Sequence, residues 1–244
     1  MSIHYFIMAG FIILSLAVVF FIKHPRRVTV KVGLICWILL SVYFLIEYLV
    51  IQKTTAVYQF MVQPMSDLGV TACGTNTYVL APYDICSPYH LLMNWTFTLT
   101  GIVILVGAVY IHPLWPKQRK TRAATILFVI FGLSYAVSGV FPADVHFLWH
   151  TLGSLPGMVV QIPALLMIAL SIRGSMPKLS LWTALCAVVT SCSLLLLFYQ
   201  PEFIYLPAGL LQRTLYGSVY LWMAVTAILL WNKKILLNKF LINS

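Results

Sequence analysis

Charge is what this sequence has least of. Asp, Glu, Lys and Arg make up 8% of the 244 residues and 61% are hydrophobic, where a soluble domain has about a quarter charged and under half apolar. With a mean hydropathy of +0.97, these proportions exclude a soluble globular protein. Acids are scarcer than bases, 5 against 15, and the resulting excess of +10 would point to nucleic acid in a soluble chain. The five cysteines include no C-x-x-C pair, which excludes a zinc ribbon and a thioredoxin-type motif. Also missing are the G-x-S-x-G of a serine hydrolase and the H-E-x-x-H of a zinc protease. There is no internal repeat and no low-complexity tract.

What the chain has in abundance is long apolar runs. A bilayer core needs about 20 consecutive apolar residues. Seven stretches qualify, near 4–22, 32–51, 89–111, 123–141, 148–172, 179–199 and 206–231. They predict an all-α integral membrane bundle of seven transmembrane helices, one domain over 1–244, multi-pass in the cell (cytoplasmic) membrane. The first stretch lacks a basic leader and a small-x-small exit, so it reads as a retained span.

The scarce charges are sorted. Lys23, Arg26, Arg27 and Lys31 follow the first span; Lys117, Arg119, Lys120 and Arg122 follow the third. Arg173 and Lys178 follow the fifth, and Lys233, Lys234 and Lys239 the seventh, leaving only Lys53 and Arg213 of the 15 bases for the other side. The positive-inside rule then places the N-terminus outside and the C-terminus in the cytoplasm. The excess of base is a topology label and implies no nucleic-acid partner. All five acids, Glu47, Asp67, Asp84, Asp144 and Glu202, fall at or near the outer face.

One connection exceeds a turn. Residues 52–88 carry Pro64, Gly69, Gly74, Pro82 and Pro88, the punctuation of an ordered outer loop. Cys73 and Cys86 lie in it on the expected oxidising side, where a disulfide is favoured. Cys36, Cys186 and Cys192 fall within spans and read as small buried apolar residues. Gly153 and Gly157, and Gly132 with Ala136, are small-residue pairs suited to close helix packing, while Pro156 and Pro163 predict a bend in the fifth span. Trp115, Trp182, Tyr199, Tyr205 and Trp231 are expected as interfacial anchors.

Ionisable and polar groups at membrane depth are costly and mark candidate sites. Ser66 and Asp67 form one group; His90 and Asn94, at i,i+4, share a helix face. The densest group is Asp144, His146 and His150. The i,i+4 spacing of His146 and His150 would point both imidazoles one way, with His90 as a third zinc ligand and Asp67 or Asp144 orienting a ligand or water. Such a site activates water. The plainer alternative is an Asp144–His150 hydrogen bond beside a solvated His146. Gln212 and Arg213 open the last span. Arginine keeps its charge, so Arg213 requires either a carboxylate from Asp67, Asp144, Glu47 or Glu202, or an anionic headgroup.

On these residues the chain resembles the multi-pass bacterial and archaeal membrane proteins called domain of unknown function 998. The matching pieces are Ser66-Asp67-Leu68-Gly69, Ser87-Pro88 with Asn94, Phe141-Pro142-Ala143-Asp144, His150 with Gly153, and Gly209-Leu210-Leu211-Gln212-Arg213. The resemblance implies the architecture and the location of a site, without an activity. In residue types alone, the chain is also similar to the seven-span hydrolases that include alkaline ceramidases and adiponectin-receptor-like proteins. It departs from their pattern in keeping its His pair in the fifth span and no His in the seventh.

Three functions follow. The first is a hydrolase or transferase acting on a lipid or lipid-linked substrate at the outer face. Asp67, Asp144 and His150 would be catalytic, Ser66, Asn94, Gln212 and Arg213 would bind substrate, and His90, His146 and His150 would hold zinc. The second is a non-enzymatic accessory or binding protein. The third, a small-molecule transporter, predicts mid-membrane charge, where the sequence offers little beyond Gln161.

Overall fold

Without water in the hydrocarbon, a spanning segment must satisfy its own backbone, and helices do so. The computed structural model describes residues 2–22, 27–199 and 206–232; Lys23, His24, Arg26, Glu202, Tyr205, Lys233, Lys234 and Lys239 lie outside them. The helices are α1 (Ile3–Phe21), α2 (Arg27–Leu39), α3 (Val42–Ile51), α4 (His90–Ile111), α5 (Arg119–Val140), α6 (Phe147–Ile172), α7 (Pro177–Phe198) and α8 (Ala208–Asn232). Among the described residues, seven segments are long and apolar enough to cross a membrane, as the hydropathy pattern predicts.

Span two is split into α2 and α3 without a proline. Around Leu40 and Ser41 the backbone makes i→i+3 bonds, Leu40 to Trp37 (3.3 Å) and Ser41 to Ile38 (3.2 Å). The Ser41 hydroxyl adds a bond to the Ile38 carbonyl at 2.8 Å. Helix α6 is disturbed differently. Gly157 N–H donates to the Ser134 hydroxyl at 2.8 Å, and that hydroxyl donates to the Gly153 carbonyl. A side chain of α5 is thus inserted into the α6 ladder, beside Pro156, and both disruptions bend helices.

Helices α4 and α5 pack on each other, α6 packs on α5, and α7 and α8 form a neighbouring pair. The α4–α5 contact is close because both sides lack a side chain: a Cβ on Gly101 would fall within 3 Å of the α5 backbone, and one on Gly132 within 3 Å of α4. Gly153 and Gly157 likewise face α5, so this pair serves packing within the chain. The core is aromatic. Trp37, Phe128 and Trp222 meet at 5.4–6.1 Å, and Tyr43, Phe97, Phe131, Tyr135, Tyr216 and Tyr220 continue the cluster toward one end. Residues facing away from the bundle, such as Phe6, Leu14, Leu181 and Leu185, are apolar, as lipid contact demands.

Two expectations fail for packing reasons. Trp115 is buried in the core, because α4 continues into a 3-10 turn, His112–Leu114, that brings the indole beneath the bundle. Cys192 is exposed because it sits on the lipid-facing side of α7, whereas Cys186 is buried as expected. Tyr199 and Trp231 are exposed at span ends.

The connection between α3 and α4 is ordered. A 3-10 helix spans Met65–Gly69. Strands β1 (Gly74–Thr75) and β2 (Asp84–Ile85) pair antiparallel, Gly74 opposite Ile85. Cys73 and Cys86 form the expected disulfide. This segment caps one end of the bundle.

Candidate functional site

The polar residues singled out in the sequence meet at the cap, and most of them fasten it down. Ser87 donates to the Leu68 carbonyl at 2.8 Å and Asn94 Nδ2 to the Gly69 carbonyl at 2.8 Å. Gln212 Oε1 accepts the Met65 N–H at 2.8 Å. Glycine is needed twice here: a Cβ on Gly69 would strike Asn94, and one on Gly209 would strike the backbone at Gln63. Gly209 and Leu210 also donate to the Val62 and Met61 carbonyls. The short motifs spread along the chain are therefore one seam between cap and bundle.

Arg213 is the strongest fastener. Its Nε donates to Glu47 Oε1 at 2.9 Å, joining α8 to α3. Nη1 donates to the carbonyls of Phe60 (2.8 Å), Gln63 (2.9 Å) and Gly209 (3.1 Å), and Nη2 to the Tyr58 hydroxyl. The Phe60 ring lies 4.3 Å from the guanidinium carbon. Of the described carboxylates on that side, the partner is Glu47, and protein acceptors take up the fork that a headgroup would need. Removing one member of such a buried pair costs about 3–5 kcal/mol.

Asp67 is 1% exposed. Tyr78 donates to its Oδ1 and Tyr83 to its Oδ2 at 2.9 Å. Burial pushes the carboxyl up from 3.8 to about 6, against the lowering effect of both phenols and Arg213. The same burial, with Asp67 alongside, raises the two phenols above their ordinary range. Asp144 pins the cap to the α5–α6 turn: its Oδ2 accepts from Thr71 N (2.9 Å), Thr71 Oγ1 (2.6 Å) and Ala72 N (3.0 Å). The expected Asp144–His150 hydrogen bond is replaced by these, and Asp144 Oδ1 is buried without a partner among the described residues.

The three imidazoles expected around zinc do not assemble. Among the described residues no three His, Cys, Asp or Glu side chains group as metal ligands. His146 is the N-cap of α6, at φ −144°, so it lies outside the helix and the i,i+4 geometry fails; its side chain is exposed. His90 Nδ1 contacts the Ser87 carbonyl at 3.0 Å and His150 Nδ1 the Phe141 carbonyl at 2.8 Å.

Beneath the cap lies a cavity of about 30 Å³, between α4, α5, α6 and α8. Ser66, Gln212 and His150 line it together with Tyr135, Ser138 and Ser154. This brings together three of the sequence-chosen residues; Asp67, Asn94 and Arg213 stand in the seam instead. The Nδ1 contact of His150 places the proton of the neutral ring on Nδ1 and leaves Nε2 as an acceptor. The Tyr135 hydroxyl is buried beside those of Tyr43 and Tyr220, yet in hydrogen-bonding geometry with neither. A cavity needs about 10–15 Å³ per water, so this one holds two or three waters or a small polar group. Among the described residues, no Asp or Glu lines it.

Tyr58, Tyr78, Tyr83, Ser134 and Tyr135 escaped the sequence reading because a tyrosine or serine in an apolar chain is ordinary. For Tyr78 and Tyr83 a signal existed: a buried loop aspartate requires donors, and these phenols lie within the same connection. Residues 38–229 match the family described as protein of unknown function DUF998, and the chain belongs to that family. No curated protein matches the chain, and no solved structure does.

Proposed function

We propose that this member of the DUF998 family is a non-enzymatic binding or accessory protein of the cell membrane. It takes the polar end of an outer-leaflet lipid or lipid-linked molecule into the cavity beneath the cap. In this reading the cap faces outward, the N-terminus is outside and the C-terminus cytoplasmic, in keeping with the sorting of basic residues and the disulfide. The observation that carries it is the Tyr135 hydroxyl, buried at a polar cavity with no partner in hydrogen-bonding geometry among the described residues. Buried polar groups are paired in stable proteins, so water or a ligand group completes this one.

A hydrolase or transferase is the second reading, favoured by Ser66 and His150 lining the same cavity. Against it, Asp67 and Asp144 are bonded elsewhere, so among the described residues the imidazole meets no carboxylate in the cavity. Transport has less support, since Glu47 and Arg213 neutralise each other near the cap.

The test is mass spectrometry of lipids retained by the purified protein. A retained species should fall about five- to tenfold in Tyr135→Phe, which removes one hydrogen bond and keeps the ring. Retention unchanged in Tyr135→Phe sinks the cavity reading. Turnover of membrane lipid extract that is lost in His150→Ala establishes the hydrolase instead.

A further inference from the structure

A second concavity lies on the lipid-facing side. Leu39, Val42 and Ile46 of span two and Leu92, Leu99 and Val103 of α4 wall a groove of about 320 Å³. It opens where span two is interrupted, since Leu39 and Val42 flank the break. Two of the three hydroxyls on its wall are bonded within the protein: Thr96 donates to the Leu92 carbonyl at 2.8 Å and Tyr43 to Met65 Sδ at 3.1 Å. An apolar cavity of about 150 Å³ is enough to take up benzene, and this space is about twice that.

Both walls belong to membrane-spanning segments, so what reaches the groove is the hydrocarbon of the bilayer. The groove is separated from the polar cavity by one layer of rings. Tyr43 lines the groove; Phe97 and Tyr135 line the cavity. Tyr43 stacks on Phe97 at 6.5 Å and meets Tyr135 edge-on at 6.3 Å.

We infer that the groove between α3 and α4 is a binding site for one acyl chain of a phospholipid, held against the Tyr43–Phe97 partition. It supplies the apolar half of the ligand whose polar end the cavity takes, and only in that link does it rest on the proposed function. The chain site itself stands on the groove alone.

Trp95 lines the groove and reports on it, while Trp149 and Trp231 are exposed elsewhere. The protein in detergent micelles is titrated with a phosphatidylcholine brominated at mid-chain, which quenches adjacent indoles. The Trp95 signal is isolated by difference from Trp95→Phe. Its quenching should saturate near one lipid per protein, whereas Trp149 and Trp231 show no saturation at that ratio. In Thr100→Phe, which fills the groove, the saturable phase should disappear. In Tyr135→Phe it should persist, so that loss of the cavity reading leaves the groove standing. Trp95 quenching that merely tracks the other indoles overturns the inference and leaves ordinary boundary lipid. So does protection of Trp95 that accompanies dimer formation, which makes a second copy of the chain the occupant.

Discussion

Asp67 shows how a single residue couples the cap to proton concentration. Its carboxyl, raised to about 6 in the folded protein against 3.8 ordinarily, binds a proton more tightly folded than unfolded. Folding is therefore helped in full below the ordinary value, and this help is lost as pH rises through about 6. A shift of that size amounts to about 3 kcal/mol. Thermal stability in detergent should fall between pH 4 and about 6 and then level. Asp67→Asn, which mimics the neutral acid, should flatten that profile; its one amide oxygen keeps the bond from one phenol, and the other phenol turns to accept from the amide NH2. A wild-type profile rising over the same window contradicts the assignment. Arg213 has no such titration, and its importance lies in the number of carbonyls it holds.

At the scale of elements, packing depends on side chains that are not there. Gly101 lets α4 and α5 approach until a Cβ would fall within 3 Å of backbone, and backbone cannot yield as a flexible side chain does. Gly101→Ala should cost about 3 kcal/mol by overpacking. Gly10→Ala is the matched control: no atom lies within 4 Å of its added Cβ, and helix propensity improves. Equal melting temperatures for the two variants would remove close packing as the basis of the α4–α5 contact. The Ser134 hydroxyl inserted into α6 belongs to the same scale. Glycines in the sequence foretell the close approach of α6 to a neighbour, but the hydroxyl that takes the Gly157 N–H comes from a different helix and carries no sequence signature.

For the whole molecule, the sorting of charge gives a prediction about sides. A membrane-impermeant maleimide should label Val79→Cys, exposed on the cap, in intact cells. Lys120→Cys, at the opposite end of the bundle, should label only after permeabilisation. The reverse pattern would invert the topology and with it the outer-leaflet reading.

Hydropathy and charge parity by themselves determined seven spans, their approximate limits and the existence of an ordered connection. These follow from local composition, because the bilayer acts on each segment separately. The polar residues were legible as a set for the same reason: polarity at membrane depth is conspicuous. What each one does was decided only by tertiary structure. Among the described carboxylates Glu47, rather than Asp67 or Asp144, meets Arg213; Asp144 bonds to Thr71 and Ala72 instead of His150; His146 ends as a helix cap, apart from His90 and His150. The two carboxylate outcomes depend on which groups lie within hydrogen-bonding distance across 72 to 166 residues of sequence. That distance is fixed by helix packing and by the path of the cap, which no local pattern encodes.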